Sequence, residues 1–256
     1  MDLHMDNLDR HFQMPGIRKI DAGRPLQWLG RGWQDMMRHP GPSLAYGVLV
    51  VAVGAILLAL AAGYPYLLTT FVTGFLLLAP LGAAGIYELT SERDEGRETS
   101  FAQSLRDMKH NFGQLAFFGV GLGMIAIAWE RTSAILFALF YGGGGVGMDA
   151  ILQALTGEFL TFTLIWAGLG FVLALVVFAL TAVSIPMLAD RDIDAVTAMM
   201  VSLRSVGDNL VPMLIWAALL AVLTAIGFAT MMIGLIVIFP WLGHATWYAY
   251  KDLVEK

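Results

Sequence analysis

No cysteine occurs in the 256 residues of this chain. That excludes disulfides, Cys-ligated zinc, iron–sulfur clusters and thiol catalysis, and it leaves the redox compartment open. Charge is scarce as well. Only 14% of residues are charged and 58% are hydrophobic, against roughly 25% charged in ordinary soluble proteins. A soluble core cannot hide that excess, because even large domains must cover themselves with polar groups. The formal net charge of −5 is mild and sits in a few blocks, with no basic patch of the kind a nucleic acid requires. The leader, 1–25, lacks an apolar central region, so it does not read as a cleaved signal peptide. It is expected to be short and flexible.

Histidines are few: His4, His11, His39, His110 and His244. A haem or copper centre inside a membrane needs several His ligands on facing spans, and only His244 stands near a span. No Ser/His/Asp constellation, His-Glu metalloprotease spacing or paired intramembrane aspartates are found. The expectation is therefore no catalytic residue, no cofactor, no metal and no enzyme activity.

What the chain does have is long apolar runs. A spanning helix needs ~20 largely apolar residues. Such runs cover about Ser43–Ala62, Leu67–Tyr87, Gly113–Trp129 and Phe159–Leu188. A final stretch, Leu210–Tyr250, is too long for one crossing of a ~30 Å core at ~1.5 Å per residue. Splitting it near Gly227–Thr230 gives about six spans, an all-α polytopic membrane bundle with both termini on one side. Arg10, Arg18, Lys19, Arg24, Arg31, Arg38, Arg93, Arg97, Arg106, Lys109, Arg191, Arg204, Lys251 and Lys256 fall on that side, and only Arg131 on the other. Lys and Arg are retained on the cytoplasmic face, so both termini are expected in the cytoplasm.

One phrase is written twice. SLRDMKHNFGQL, residues 104–115, and SLRSVGDNLVPM, residues 202–213, each precede an odd-numbered span, and LQWLGRGWQDMMRHPGPS is a weaker copy before the first. Read as helices, they put Leu26, Leu29, Trp33, Met36 and Met37, then Phe101, Leu105, Met108 and Phe112, then Met199, Leu203, Val206 and Leu210 on single apolar faces. Arg31, Asp35, Arg38, Arg106, Asp107, Lys109, Arg204 and Asp208 lie opposite. Such helices are expected to lie in the interface, against membrane lipids. Each even-numbered span carries a proline toward its cytoplasmic end, Pro80, Pro186 and Pro240, and each proline is an expected kink. The chain thus reads as one transmembrane domain, 26–254, of three tandem two-span units at about 26–90, 99–190 and 196–254. Reuse of lead-ins without shared ancestry explains the pattern as well.

The Arg-Lys-Ile-Asp leader, the Trp-Leu-x-x-Gly-Trp-x-Asp helix ending in His39-Pro40, and the closing FPWLGHATWYAYKDL resemble the bacterial integral-membrane family of domain of unknown function 2189. The resemblance implies a multi-pass bacterial inner-membrane protein with no assigned activity and no agreed catalytic residues.

Three residues are candidates for function. His244 sits among Trp241, Trp247, Tyr248 and Tyr250, where an interfacial hydrogen-bonding residue is the plain reading and a proton or ligand role the sharper one. Glu130 and Arg131, in AWERTSA, either end the third span at the outer boundary or lie on a longer helix that continues to Tyr141 and faces a cavity. YGGGGVGMD, residues 141–149, lacks the Lys-Ser/Thr of a phosphate loop and reads as a hinge before a short surface piece. Two functional classes remain. One is a non-catalytic scaffold, assembly factor or accessory subunit with a membrane-protein partner or a second copy of itself. The other is a transporter or channel for a small or lipidic substrate, suggested by the repeats and proline-broken helices.

Overall fold

The computed structural model describes residues 14–63, 68–94, 96–97, 100–108, 112–141 and 160–255. Residues 142–159, with all but the first residue of YGGGGVGMD, lie outside them, together with His4, His11, Lys109 and His110. The described residues form the helices α1 Arg24–Arg38, α2 Pro40–Gly63, α3 Leu68–Gly82, α4 Ala84–Asp94, α5 Phe101–Asp107, α6 Phe112–Tyr141, α7 Leu160–Thr181, α8 Ser184–Asp190, α9 Ala195–Asp208, α10 Leu210–Ala229 and α11 Leu235–Leu253. Among them there is no strand beyond one isolated antiparallel bridge, Ile17 with Val254.

Among the described residues, five segments are long and apolar enough to cross a membrane: Pro40–Ala62, Phe71–Asp94, Phe112–Phe140, Leu160–Asp190 and Leu210–Ala229. The protein is an integral membrane protein built as a polytopic helical bundle. The third of these segments is longer than the expected Gly113–Trp129, because α6 runs unbroken to Tyr141. The expected sixth span, α11, falls outside this set. It runs back beside α10, and its second half carries His244 and Thr246 into the interior of the protein, with Asp252 half-buried.

Local chemistry sets the boundaries. His39 precedes Pro40, and a residue before proline is pushed out of helical geometry; α1 stops at Arg38 with His39 at φ −141°. Proline then opens α2, where its missing N–H costs nothing. The Asp194 carboxylate caps α9, accepting from the Thr197 N–H at 2.9 Å and its hydroxyl at 2.6 Å. Pro80 lies inside α3, just before the turn at Ala83 that separates it from α4. Pro186 is the third residue of α8, where a missing N–H again costs no helix bond. Pro240 lies within an uninterrupted α11.

The bundle has two layers. In one, α2, α6, α7 and α10 expose large apolar side chains such as Ile56, Val120, Met124, Leu164 and Phe171, the surface expected toward lipid. In the other, α1, α4, α8, α9 and the second half of α11 surround a packed core holding Trp28, Ile185, Met187, Trp247 and Tyr250. The lead-in stripes divide between the two settings. Leu29 and Met36 of α1 are buried, Leu29 in this core, whereas Leu26, Trp33 and Met37 are exposed. On α9 the exposed side holds Val196, Leu203 and nearby Leu210, and the packed side holds Ala195, Ala198, Val201, Ser202 and Ser205. The layer also gathers the leader: the Arg18 N–H donates to the Leu253 carbonyl at 2.8 Å and the Glu255 N–H to the Gly16 carbonyl at 3.0 Å. This side is called the terminal face below, and the opposite side the distal face.

α11 is the axis of both layers. Its first half lies so close to α2 that a Cβ on Gly47 would meet the backbone of Ile236, and its second half so close to α1 that a Cβ on Gly32 would meet Ala245. Gly47→Ala therefore lowers stability by about 1–3 kcal/mol through overpacking against backbone. Gly30→Ala, at a helical position with open space around it, raises it by about 0.5–1 kcal/mol. Denaturation midpoints of the purified variants in one detergent check the opposite signs.

Candidate functional site

Where the two layers meet, four polar side chains from three helices converge on His244. α1 supplies Asp35, α2 Ser43, α4 Thr90 and Arg93, and α11 the histidine itself. All but Arg93 are fully or nearly fully buried, with His244, Ser43 and Thr90 at 0% exposure and Asp35 at 3%. Burial of this kind is tolerated only when the polar atoms satisfy one another.

Donor counting orders the cluster. The Thr90 hydroxyl donates to the Ile86 carbonyl at 2.9 Å, one turn back along α4. Its single proton is then spent, so Thr90 Oγ1 accepts from His244 Nδ1 at 2.7 Å. Arg93 reaches Ser43 Oγ at 3.5 Å and can only donate. The Ser43 proton is therefore free for His244 Nε2, 2.8 Å away. The result is a neutral imidazole with its proton on Nδ1 and both nitrogens engaged. Asp35 Oδ2 lies 3.1 Å from the same Nδ1 and 3.3 Å from the Arg93 guanidinium. Neither contact is aligned as a hydrogen bond, so the interaction there is mainly electrostatic.

Arg93 also closes α1. It donates to the carbonyls of Asp35 at 3.0 Å and His39 at 3.3 Å, the carbonyl end that a helix leaves unpaired. A cation is favoured there by the helix dipole. Burial raises the Asp35 carboxyl, but His244 and then Arg93 together outweigh it and hold the group below the ordinary carboxylate range.

A second polar set lies at the end of α8. Asp190 accepts from the Tyr250 hydroxyl at 2.5 Å and pairs with Lys251 at 2.6 Å. The Lys251 ammonium stands 4.6 Å from the centre of the Trp247 ring, within reach of a cation–π attraction. Trp247 donates to Asp94 at 3.1 Å, and Trp28 to Asp252 at 2.8 Å. Of the aromatic residues around His244, Trp247 and Tyr250 are thus internal packing with polar tips tied to carboxylates, and Trp241 donates to the Leu29 carbonyl at 2.8 Å; His244 itself is a fully buried, hydrogen-bonded residue.

Glu130 and Arg131 do not join either set. They pair with each other on α6 at 3.0 Å, with the Arg131 side chain 74% exposed. Beside them Trp129 packs against Trp166, whose indole donates to Ser133 at 3.0 Å. Among the described residues, His244 is the one of the three candidates with partners from other helices. Asp35, Ser43, Thr90 and Arg93 carry no signal in the sequence beyond being polar, since Ser43 stands 201 positions and Thr90 154 positions from His244. Among the described residues no group of three or more His, Cys, Asp or Glu is placed to hold a metal ion.

Removing one partner of a buried ion pair costs about 3–5 kcal/mol, so Asp35→Ala is destabilising on that scale. The Arg131→Ala change, at an exposed pair, costs about 0–1 kcal/mol. Because the native Asp35 pKa lies below its unfolded value, its contribution is complete above the unfolded pKa and lost as pH falls through the folded one. The stability difference between wild type and Asp35→Asn is therefore full at neutral pH and shrinks only below the usual carboxylate range, which paired unfolding curves across acid pH measure.

Neither a curated protein nor a solved structure matches the chain. The leader and the Phe239–Leu253 segment, on which the family likeness was first read, lie outside the family match, which falls on the middle of the molecule. That stretch, residues 67–190 from α3 through α8, matches the model of the family described as "Predicted integral membrane protein (DUF2189)".

Proposed function

We propose that this chain is a non-catalytic protein of the bacterial inner membrane, with both termini in the cytoplasm, serving as a scaffold, assembly factor or accessory subunit of a larger membrane complex. One observation carries the reading: the polar groups best suited to chemistry are spent on holding helices together. Both nitrogens of His244 are engaged by α2 and α4, and Asp35 faces Arg93, which closes α1. A general base needs a free nitrogen within reach of a substrate proton, and this imidazole offers none.

The orientation rests on the basic residues. Arg24, Arg31, Arg38, Arg93, Arg106, Arg191, Arg204 and Lys251 belong to the terminal face, and Arg131 to the distal half of α6. That bias favours a cytoplasmic terminal face. The exposed apolar side chains Leu26, Trp33 and Met37 on α1, beside Arg31 and Arg38, fit contact with anionic lipid or a partner helix at that face.

The test is purification from native membranes in mild detergent, with co-purifying proteins quantified by mass spectrometry. A stoichiometric membrane-protein partner is expected, retained by the Glu130→Ala and Arg131→Ala variants. A partner-free protein that moves a solute or lipid across proteoliposomes would sink the reading.

A further inference from the structure

α10 and α11 are joined by Thr230-Met-Met-Ile-Gly234, a turn without a charged residue. Turns in water favour Gly, Asn, Asp and Ser; this one exposes Met231 at 86% and Ile233 at 66%. It is made by Met231 at φ 52° and Met232 at φ 67°, left-handed conformations that few side chains adopt.

Most of its backbone is paired within the hairpin. The Met231 N–H donates to Phe228 at 3.0 Å, Ile233 to Thr230 at 3.1 Å and Leu235 to Met232 at 2.9 Å. The Thr230 hydroxyl donates to the Gly227 carbonyl at 2.7 Å and accepts from the Gly234 N–H at 2.8 Å. In hydrocarbon each unpaired backbone group costs several kcal/mol, so this pairing lowers the cost of a chain reversal there.

The depth of the turn follows from its neighbours. The Met232 side chain lies directly on Gly54 of α2, and Phe228 packs edge-on against Phe75 of α3 at 6.0 Å. From Gly54, α2 continues to Gly63, a further ~13 Å at ~1.5 Å per residue. Likewise α3 begins at Leu68, ~10 Å beyond Phe75. At the other end, the first turns of α10 are spent in the terminal layer. Asn209 binds Ile20 and Arg18 of the leader at 2.9 and 3.0 Å, and fully buried Trp216 meets Trp28 at 5.6 Å. From Trp216 to the end of α10 at Ala229 only ~20 Å of helix remains, against a hydrocarbon core of ~30 Å.

We propose that the α10–α11 hairpin is re-entrant, turning inside the distal leaflet, and that the notch it leaves between α2 and α3 takes a phospholipid acyl chain. Leu58, Phe71, Val72 and Phe75 wall this notch, Phe228 and Met232 floor it, and its lining has no polar surface. About 250 Å³ of it is empty when the open mouth is counted. An apolar lining gives water no partner, and at this depth the abundant apolar occupant is a lipid chain. The inference does not depend on the scaffold reading, and a result against either leaves the other standing.

The test uses the full chain, which has no native cysteine. Met231→Cys, Leu58→Cys and Lys19→Cys are each labelled with bimane and placed in lipid nanodiscs, where both faces meet water. Probes at 231 and 58 are expected to lose most of their emission with lipids brominated along the acyl chains and little to iodide. The probe at 19, at an exposed charged position of the leader, is expected to do the reverse. Iodide quenching at 231 equal to that at 19 would overturn the re-entrant turn. A probe at 58 that brominated chains leave unquenched would overturn the acyl-chain site.

Discussion

The imidazole of His244 has two nitrogens and no water to share them with. Its position therefore fixes the approach of three helices at once: α2 through Ser43, α4 through Thr90, and α1 through the Asp35 carboxylate that Arg93 shares. Most of the terminal layer hangs on that point. α4 is held against α11 there, which seats Trp247 on Asp94 and Tyr87, and α1 is held against α11, which seats Trp28 on Asp252. Buried polar networks are costly when incomplete, so the same chemistry that stabilises the arrangement penalises any other register of these helices.

The two layers are held by different physics. Around Trp28, Trp247 and Tyr250 large aromatic area is removed from solvent. Nearer the lipid no hydrophobic drive between helices is available, and close backbone approach takes its place. A Cβ on Gly47 of α2 would meet the Ile236 backbone of α11, and the Met232 side chain lies on Gly54. α11 belongs to both regimes, which is why its composition changes halfway along and why hydropathy alone reads it poorly.

Long apolar runs made the membrane class and most helices legible in the sequence, because a bilayer demands such runs whatever the tertiary packing. The doubled Ser-Leu-Arg phrase also reflects something real in the structure. Ser104 and Ser202 are both fully buried, Ser104 on Tyr46 and Ser202 between the Val183 N–H and the Ala179 carbonyl. These helices carry an inward face beside the apolar stripe, and the stripe gives no sign of it, since small polar residues add nothing to an apolar face. His244 was singled out for standing on an apolar helix, but its partners were invisible. Asp35, Ser43, Thr90 and Arg93 look like surface residues until the chain folds them onto one point. The length of α6 was obscured by Glu130 and Arg131, a charged pair that a helix carries easily when one member is exposed.

The bridge between Ile17 and Val254 has a bearing on how the molecule is made. Residues near the beginning of the chain complete their contacts only against residues synthesised more than two hundred positions later. Until α11 has left the ribosome, α1 lacks its main packing surface, and Asp35, Ser43, Thr90 and Arg93 lack the histidine that unites them. A product interrupted before α11 therefore inserts helices without a finished terminal layer and presents buried charge and bare aromatic surface to the cell. Completion of the terminal layer is thus coupled to synthesis of α11, and copies without it are chemically distinguishable from copies with it.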